Sequence, residues 1–199
     1  MLDGPDGSGK STQARLLADE LERRGIETLL LREPGGTATG EAIRKLLLMR
    51  GAMAIGPLAE AFLFQAARAQ LSEEVIRPAL RRGAWVLCDR FSLSTLVYQG
   101  FAGGVPPRAV EALSALAAGG LWPDKYLVLW VPFSVGLQRR EHRAADRMES
   151  KGAKFLRAVA AAYKRAALSA PGRYELVDGR GTVGAVRERI WRRVEELLD

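Results

Sequence analysis

Residues 4–11 read GPDGSGKS, a G-x-x-x-x-G-K-S spacing that brings glycines, a lysine and a hydroxyl to one point of the chain. Glycines at Gly4, Gly7 and Gly9 let the backbone turn so that its N–H groups converge on an anion. Lys10 can reach the terminal phosphates of a nucleotide, and the Ser11 hydroxyl is placed to ligate Mg2+. A helical pattern begins at once after the loop, and its N-terminal dipole adds positive field at the same place. The chemistry expected is NTP binding. The pattern alone does not separate a kinase from a GTPase or a motor.

Further polar groups follow strands. WVLCDRF, residues 85–91, puts Asp89 at the C-terminal end of an apolar run, where open parallel sheets bind ligands. There Asp89 can hold Mg2+ or its waters, and Arg90 can pair with a phosphate. REPGGT, residues 32–37, also leaves a strand at that edge, with Arg32 and Glu33 first and a Pro-Gly-Gly turn behind them. Arg44 follows in GEAIRKLLL. In AFLFQAAR, Phe64 and Arg68 are four apart and share a helix face, so a ring and a guanidinium could meet a base together. SLSTLVYQG offers Ser94, Thr95, Tyr98 and Gln99, groups suited to the edge and sugar of a nucleotide. LQRREHRAADRME holds Arg139, Arg140, Arg143 and Arg147 with the single histidine, His142. Read as a helix, Arg139, Arg143 and Arg147 share a face. Near a phosphoryl-transfer site such a run could be a mobile lid whose arginines neutralise transition-state charge.

The elements that must position these groups alternate. Helical periods cover residues 13–24, 40–48, 57–82 (with a bend expected near Pro78), 94–99 and 107–118. Short apolar runs at 26–31, 84–88, 126–131 and 173–177 read as buried strands, and Thr182 reads as the N-cap of a last helix bearing Val183, Val186, Ile190 and Val194. Strands separated by helices imply an α/β fold, a parallel sheet covered on both faces. The 199 residues suffice for one domain with a continuous core. One cysteine, Cys88, excludes an internal disulfide framework, and no run reaches membrane-spanning length. Asp3 interrupts the start too early for a signal peptide, so a cytoplasmic protein is expected. The net charge of +7 fits either nucleic acid or small phosphorylated substrates. Arginines at strand ends and in one cluster favour the second.

In order along the chain, GPDGSGKST, REPGGT with GEAIRKLLL, EAFLFQAAR, CDRFSLSTLVYQG and DRME resemble the thymidylate kinase family over essentially the whole length. The resemblance implies a P-loop NTPase fold with a five-stranded parallel sheet, a single domain over residues 1–199 and a lid at about 138–150. It implies transfer of the γ-phosphoryl group of ATP to dTMP, with Mg2+, in a homodimer that binds neither nucleic acid nor membrane. Gly4, Asp6, Gly7, Ser8, Gly9, Lys10, Ser11 and Thr12 would hold ATP, with Ser11 and Asp89 on the metal. Asp6 would lie near the acceptor 3'-hydroxyl, and Arg32, Arg44 and Arg90 would surround the acceptor phosphate with Glu33 ordering them. Phe64 would stack on thymine while Arg68, Thr95 and Gln99 face its polar edge. Tyr98 would crowd the 2' position, beside Ser94. Gly7 stands where part of the family carries a loop arginine, so the catalytic arginine is expected from the lid, Arg143 first and then Arg140.

Two points sharpen the expectation. Family members carry an apolar strand before the loop, and here only Met1 and Leu2 stand for it. A start several residues upstream is expected, or else another segment filling the slot. A signalling GTPase would carry an N-K-x-D motif, which this sequence lacks, and no platform of aromatic and basic residues favours a nucleic-acid-binding NTPase.

Overall fold

In β4 (Leu127–Trp130) apolar residues alternate between two cores. Leu127 and Leu129 join one cluster with Leu17, Leu21, Val186 and Ile190, whereas Val128 joins the other with Leu71, Phe91, Leu93 and Tyr163. A strand buried on both faces must read as a continuous apolar run, and this one does. The computed structural model describes residues 1–49, 51, 54–142 and 144–198.

In chain order the elements are β1 (Leu2–Asp3), α1 (Lys10–Arg23), β2 (Thr28–Arg32), α2 (Ala38–Leu48), α3 (Pro57–Leu71), α4 (Arg77–Arg81), β3 (Trp85–Asp89), α5 (Ser92–Thr95), α6 (Pro107–Ala118), then β4, α7 (Phe133–Gln138), α8 (Ala153–Ser169), β5 (Glu175–Asp178) and α9 (Val183–Val194). The sheet is five-stranded in the order β2-β3-β1-β4-β5, with every neighbouring pair parallel. Helices α1 and α9 cover one face, and α3, α6 and α8 contribute to the core on the other. Among the described residues no helix is long and apolar enough to cross a membrane.

The short first strand holds the central slot. Leu2 pairs with both Asp89 and Leu127, and Asp3 with Val128. No other described segment enters, which removes that alternative. A cavity of about 430 Å³ is lined by Met1, Leu2, Leu17, Trp85, Leu87, Trp122 and Val194 among others.

Two helical stretches depart from regular α geometry. The stretch 57–82 is interrupted by a π-helical turn, Ser72–Ile76, rather than simply bent at Pro78. Proline lacks the N–H that the previous turn needs, and widening that turn accommodates the loss. The stretch 94–99 opens as α5 and likewise widens into a π-helical turn over Leu96–Phe101, which carries Tyr98 and Gln99.

Candidate active site

The loop between β1 and α1 is shaped by its glycines. Gly4 has φ 146°, and a side chain there would run into the Leu129 carbonyl; Gly7 has φ 80°, and a side chain there would run into the backbone of Gly136 in α7. The small residue at position 7 is therefore a packing requirement. Lys10 is buried at the mouth of α1, 3.5 Å from Asp6 Oδ1. Burial holds its ammonium below the usual lysine range, with Arg90 adding repulsion and Asp6 opposing. Ser11 Oγ makes a short hydrogen bond to Asp89 Oδ2, while Asp89 Oδ1 is buried without a partner. A hydroxyl beside a carboxylate with an orphaned oxygen is a donor set that suits Mg2+, which keeps most of its waters and takes few protein ligands.

Beneath the loop lies Asp3, fully buried and at the centre of a hydrogen-bonded web. It accepts from Gly4 N (2.9 Å), Ser94 N (3.1 Å), Ser94 Oγ (2.7 Å), Tyr126 OH (2.9 Å) and Tyr163 OH (2.7 Å). Arg90 stands over this web. Its Nη1 donates to Gly4 O at 3.2 Å, Ser94 Oγ at 2.9 Å and Tyr163 OH at 3.0 Å, and its Nη2 pairs closely with Asp6. Arg90 has φ 74°, and among the described residues it is the one non-glycine at positive φ. Backbone strain of this kind persists where the surroundings over-determine it, characteristically at functional sites. Asp6 also accepts from Tyr98 OH at 2.7 Å. Burial alone would raise the Asp6 pKa, but Arg90 and Lys10 outweigh it and hold the carboxyl well below the usual range. Burial, reinforced by the Asp6 charge, pushes Tyr98 well up, so its hydroxyl stays a donor.

One cleft of about 1080 Å³ joins these groups to the rest. Its lining includes Asp6, Gly7, Ser8, Gly9, Lys10, Ser11, Thr12, Arg32, Glu33, Arg44, Phe64, Asp89, Arg90, Ser94, Thr95, Tyr98, Gln99 and Arg140. Four buried polar atoms without a protein partner, Ser8 Oγ, Gln13 Oε1, Asp89 Oδ1 and Gln99 Oε1, belong to residues of this lining. Orphaned buried polar atoms are costly, and their gathering in one cleft marks where a polar ligand belongs.

Two expected arrangements differ. Arg68 is 1% exposed and does not line the cleft. Its guanidinium is committed to Glu33, Gln65, Thr95 and Ser114, and it lies over the Phe91 ring. A buried guanidinium needs a full set of acceptors, and the protein supplies them. Correspondingly Glu33 orders Arg68 rather than Arg32, Arg44 or Arg90. Burial pushes the Glu33 carboxyl up, with Arg68 opposing. Arg32 instead pairs loosely with Glu41 at 3.4 Å, and Arg44 Nη1 donates to Pro34 O at 2.8 Å. Both heads stay at the cleft.

The lid helix is the second difference. Helix α7 ends at Gln138; residues 139–142 and 147–148 form turns, and 144–146 take no regular structure. Asp146 and Glu149 cap each other, with Asp146 N donating to Glu149 Oε2 at 3.0 Å and Glu149 N to Asp146 Oδ1 at 2.9 Å, so a new turn starts there. The arginines reach for separate acceptors: Arg139 for Gly7 O and Gly179 O, Arg140 for Gly136 O and Glu149, Arg147 for Leu47 O and Glu60. Arg143 lies outside the described residues.

Asp3, buried beneath the cleft, and the turn at residues 179–181 at its far end carried no functional role in the sequence reading. Asp3 and Tyr163 form the web under Arg90. Arg139 ties the loop to the turn after β5, where Gly179, Gly181, Thr182 and Val183 complete the far end of the cleft. The signal available for these was VDGRGT, a Gly-rich turn directly after an apolar strand.

A parallel sheet, a phosphate loop springing from its central strand and arginines facing that loop across the strand ends define a phosphate-loop kinase of small phosphorylated acceptors. The comparisons narrow that class. A family model described as thymidylate kinase matches residues 2–190. The chain is 45% identical to the thymidylate kinase of Afipia carboxidovorans over 99% of its own length and 88% of that protein. It is 44% identical to that of Thermomicrobium roseum, over 99% and 94%. A crystal structure of thymidylate kinase from Ehrlichia chaffeensis superposes with a TM-score of 0.78 at 29% identity, covering 98% of this chain and 96% of that one. The chain belongs to the thymidylate kinase family, ATP-dependent kinases that convert dTMP to dTDP.

Proposed function

We propose that the cleft carries out this transfer with Gly4–Thr12 residues on ATP and the groups around Phe64 and Tyr98 on dTMP. Asp6 and Arg90 form a close ion pair in the cleft that links the loop, through Lys10 3.5 Å from Asp6, to Tyr98, which donates to Asp6, and Ser94, which accepts from Arg90. Such a midpoint is where a donor and an acceptor phosphate would meet. The dTMP oxygen that attacks needs no strong base, because a phosphate monoester is largely dianionic at neutral pH. The protein's work is alignment, exclusion of water and neutralisation of charge on the equatorial oxygens.

In this reading Lys10 and the loop N–H groups hold the ATP phosphates. Ser11 and Asp89 hold Mg2+, which when bound supplies charge neutralisation between the phosphates. Arg32, Arg44 and Arg90 receive the acceptor phosphate, and Asp6 the 3'-hydroxyl. Phe64 stacks on the base, Thr95 and Gln99 meet its edge, and Tyr98, beside Ser94, crowds the 2' position. Arg68 acts from behind, by fixing Glu33 and Thr95. Arg143 and then Arg140 bridge the transferring group from a lid at about 138–150 within a single domain over 1–199. The enzyme works on free nucleotides, in the cytoplasm, as a homodimer paired through the α3 and α6 face, where Leu58, Phe62 and Leu116 stand exposed.

The test is ADP release from MgATP with dTMP, dUMP, ribose TMP, dCMP and dAMP offered separately. Strong preference for dTMP is expected. Equal rates with dTMP and dAMP would remove the pyrimidine pocket, and equal rates with dTMP and ribose TMP would remove the role of Tyr98.

A further inference from the structure

Glu60, in the first turn of α3, is fully buried, and three side chains converge on it. Lys151 Nζ lies 2.8 and 2.7 Å from its two oxygens, Arg147 Nη1 lies 2.9 Å from Oε1, and Gln99 Nε2 donates to Oε2 at 3.0 Å. The other end of the Gln99 amide, Oε1, is buried and has no partner in the protein, although Gln99 lines the cleft. These contacts fix which way the amide points. Facing two cations, Glu60 is an acceptor, and a carbonyl oxygen is an acceptor too. Turning the amide round would set two acceptors 3.0 Å apart with no hydrogen between them.

We propose that Glu60 is a specificity-determining positioning residue: it binds the Gln99 nitrogen and so leaves Oε1 as the group presented to the acceptor base. The inference rests on the reading of this cleft as the dTMP site and names what selects the base there. An orphaned buried acceptor is satisfied by a ligand that brings an N–H. Thymine carries one at N3, between its two carbonyls, whereas cytosine carries a bare acceptor at N3. A site built to meet a hydrogen-bond donor rejects an analogue without one far more strongly than an apolar pocket rejects an extra methyl group. Glu60 thus discriminates between pyrimidines without touching either. The same carboxylate anchors Arg147 and Lys151 at the end of the lid segment, so the orientation of Gln99 and the seating of that segment share one residue.

The test compares kcat/KM for dTMP and for dCMP in the wild type and in Glu60→Gln, whose amide can meet Gln99 with either end. The dTMP-over-dCMP ratio is expected to fall by about tenfold or more as Gln99 becomes free to turn. If both acceptors lose activity together and the ratio is unmoved, Glu60 is only structural and the proposal is overturned. If the wild type does not phosphorylate dTMP at all, the reading of the site fails before this inference is reached. Should circular dichroism show E60Q unfolded, nitrogen-edited NMR of the wild type decides. The Gln99 NH2 signals, held by Glu60, should move little when dTMP binds, and a large shift would mean that the nitrogen, not Oε1, meets the base.

Discussion

On the floor of the cleft, groups from β1, the loop, α5 and α8 meet in one web around Asp3, with Arg90, just after β3, pinned to Gly4, Ser94, Tyr163 and Asp6. Across from it, the described residues of 139–151 reach the body mainly through arginine and lysine heads, on main-chain carbonyls and on the carboxylate of Glu60. The floor is over-determined: removing one partner leaves the others to hold the geometry. The overhang is held mostly by the charged heads of flexible side chains on carbonyls and one carboxylate, contacts that can be exchanged for phosphate oxygens. That difference matches a division of labour in which the floor binds and aligns while the overhang adds charge when substrates are present.

Breaking the overhang at its proposed catalytic group has the largest effect. Arg143→Ala is expected to lower kcat by about a thousandfold, the scale of a lost arginine finger, with the KM for dTMP within a few-fold. A raised KM at constant kcat would move Arg143 to the binding side of the comparison. Behind the floor, breaking the buried Glu33–Arg68 pair shows in stability. Glu33→Ala strands the buried Arg68 and is expected to cost roughly 3–5 kcal/mol in denaturant unfolding. A cost under about 1 kcal/mol would mean that Arg68 finds water.

Asp6→Asn should cost about 1–3 kcal/mol at neutral pH by weakening the link to Arg90 and Lys10. The folded-state pKa of Asp6 lies below its ordinary value of 3.8. Its stabilisation is therefore complete above that value and is lost as pH falls through the folded one. The gap between wild type and variant should accordingly narrow in acid, in unfolding curves taken at pH 7 and pH 3. A gap that does not change with pH would deny the charge its role. Smallest is Arg140→Ala. Because its head is already committed to Gly136 O and Glu149, kcat should drop only about tenfold, the worth of one charged hydrogen bond. A loss as large as that of Arg143→Ala would exchange their roles.

What could be read from sequence follows the same division. The phosphate loop was legible because its chemistry is local: the glycines, Lys10 and Ser11 act within one turn of chain. Strand ends were legible for the same reason, through Asp89 and Arg90. Asp3 was not, because its role comes from Ser94, Tyr126 and Tyr163, which the fold brings to it from distant stretches. Helical spacing put Phe64 and Arg68 on one face, but it could not show that Glu33 and Thr95 would draw Arg68 into the interior. In the lid, arginines at helical spacing suggested a helix, yet the reciprocal caps of Asp146 and Glu149 start a separate turn. Periodicity reports a helix only when an apolar face demands one, and this segment has none.

The central claim is that the floor holds ATP ready while transfer waits for an acceptor and a closed overhang. It is tested most directly by measuring ADP and dTDP together from MgATP, with and without dTMP. The account predicts one dTDP for each ADP, and ADP formation at least about a hundredfold slower when dTMP is omitted. ADP formed at the same rate without dTMP would mean that water reaches the phosphate freely, and it would contradict the account.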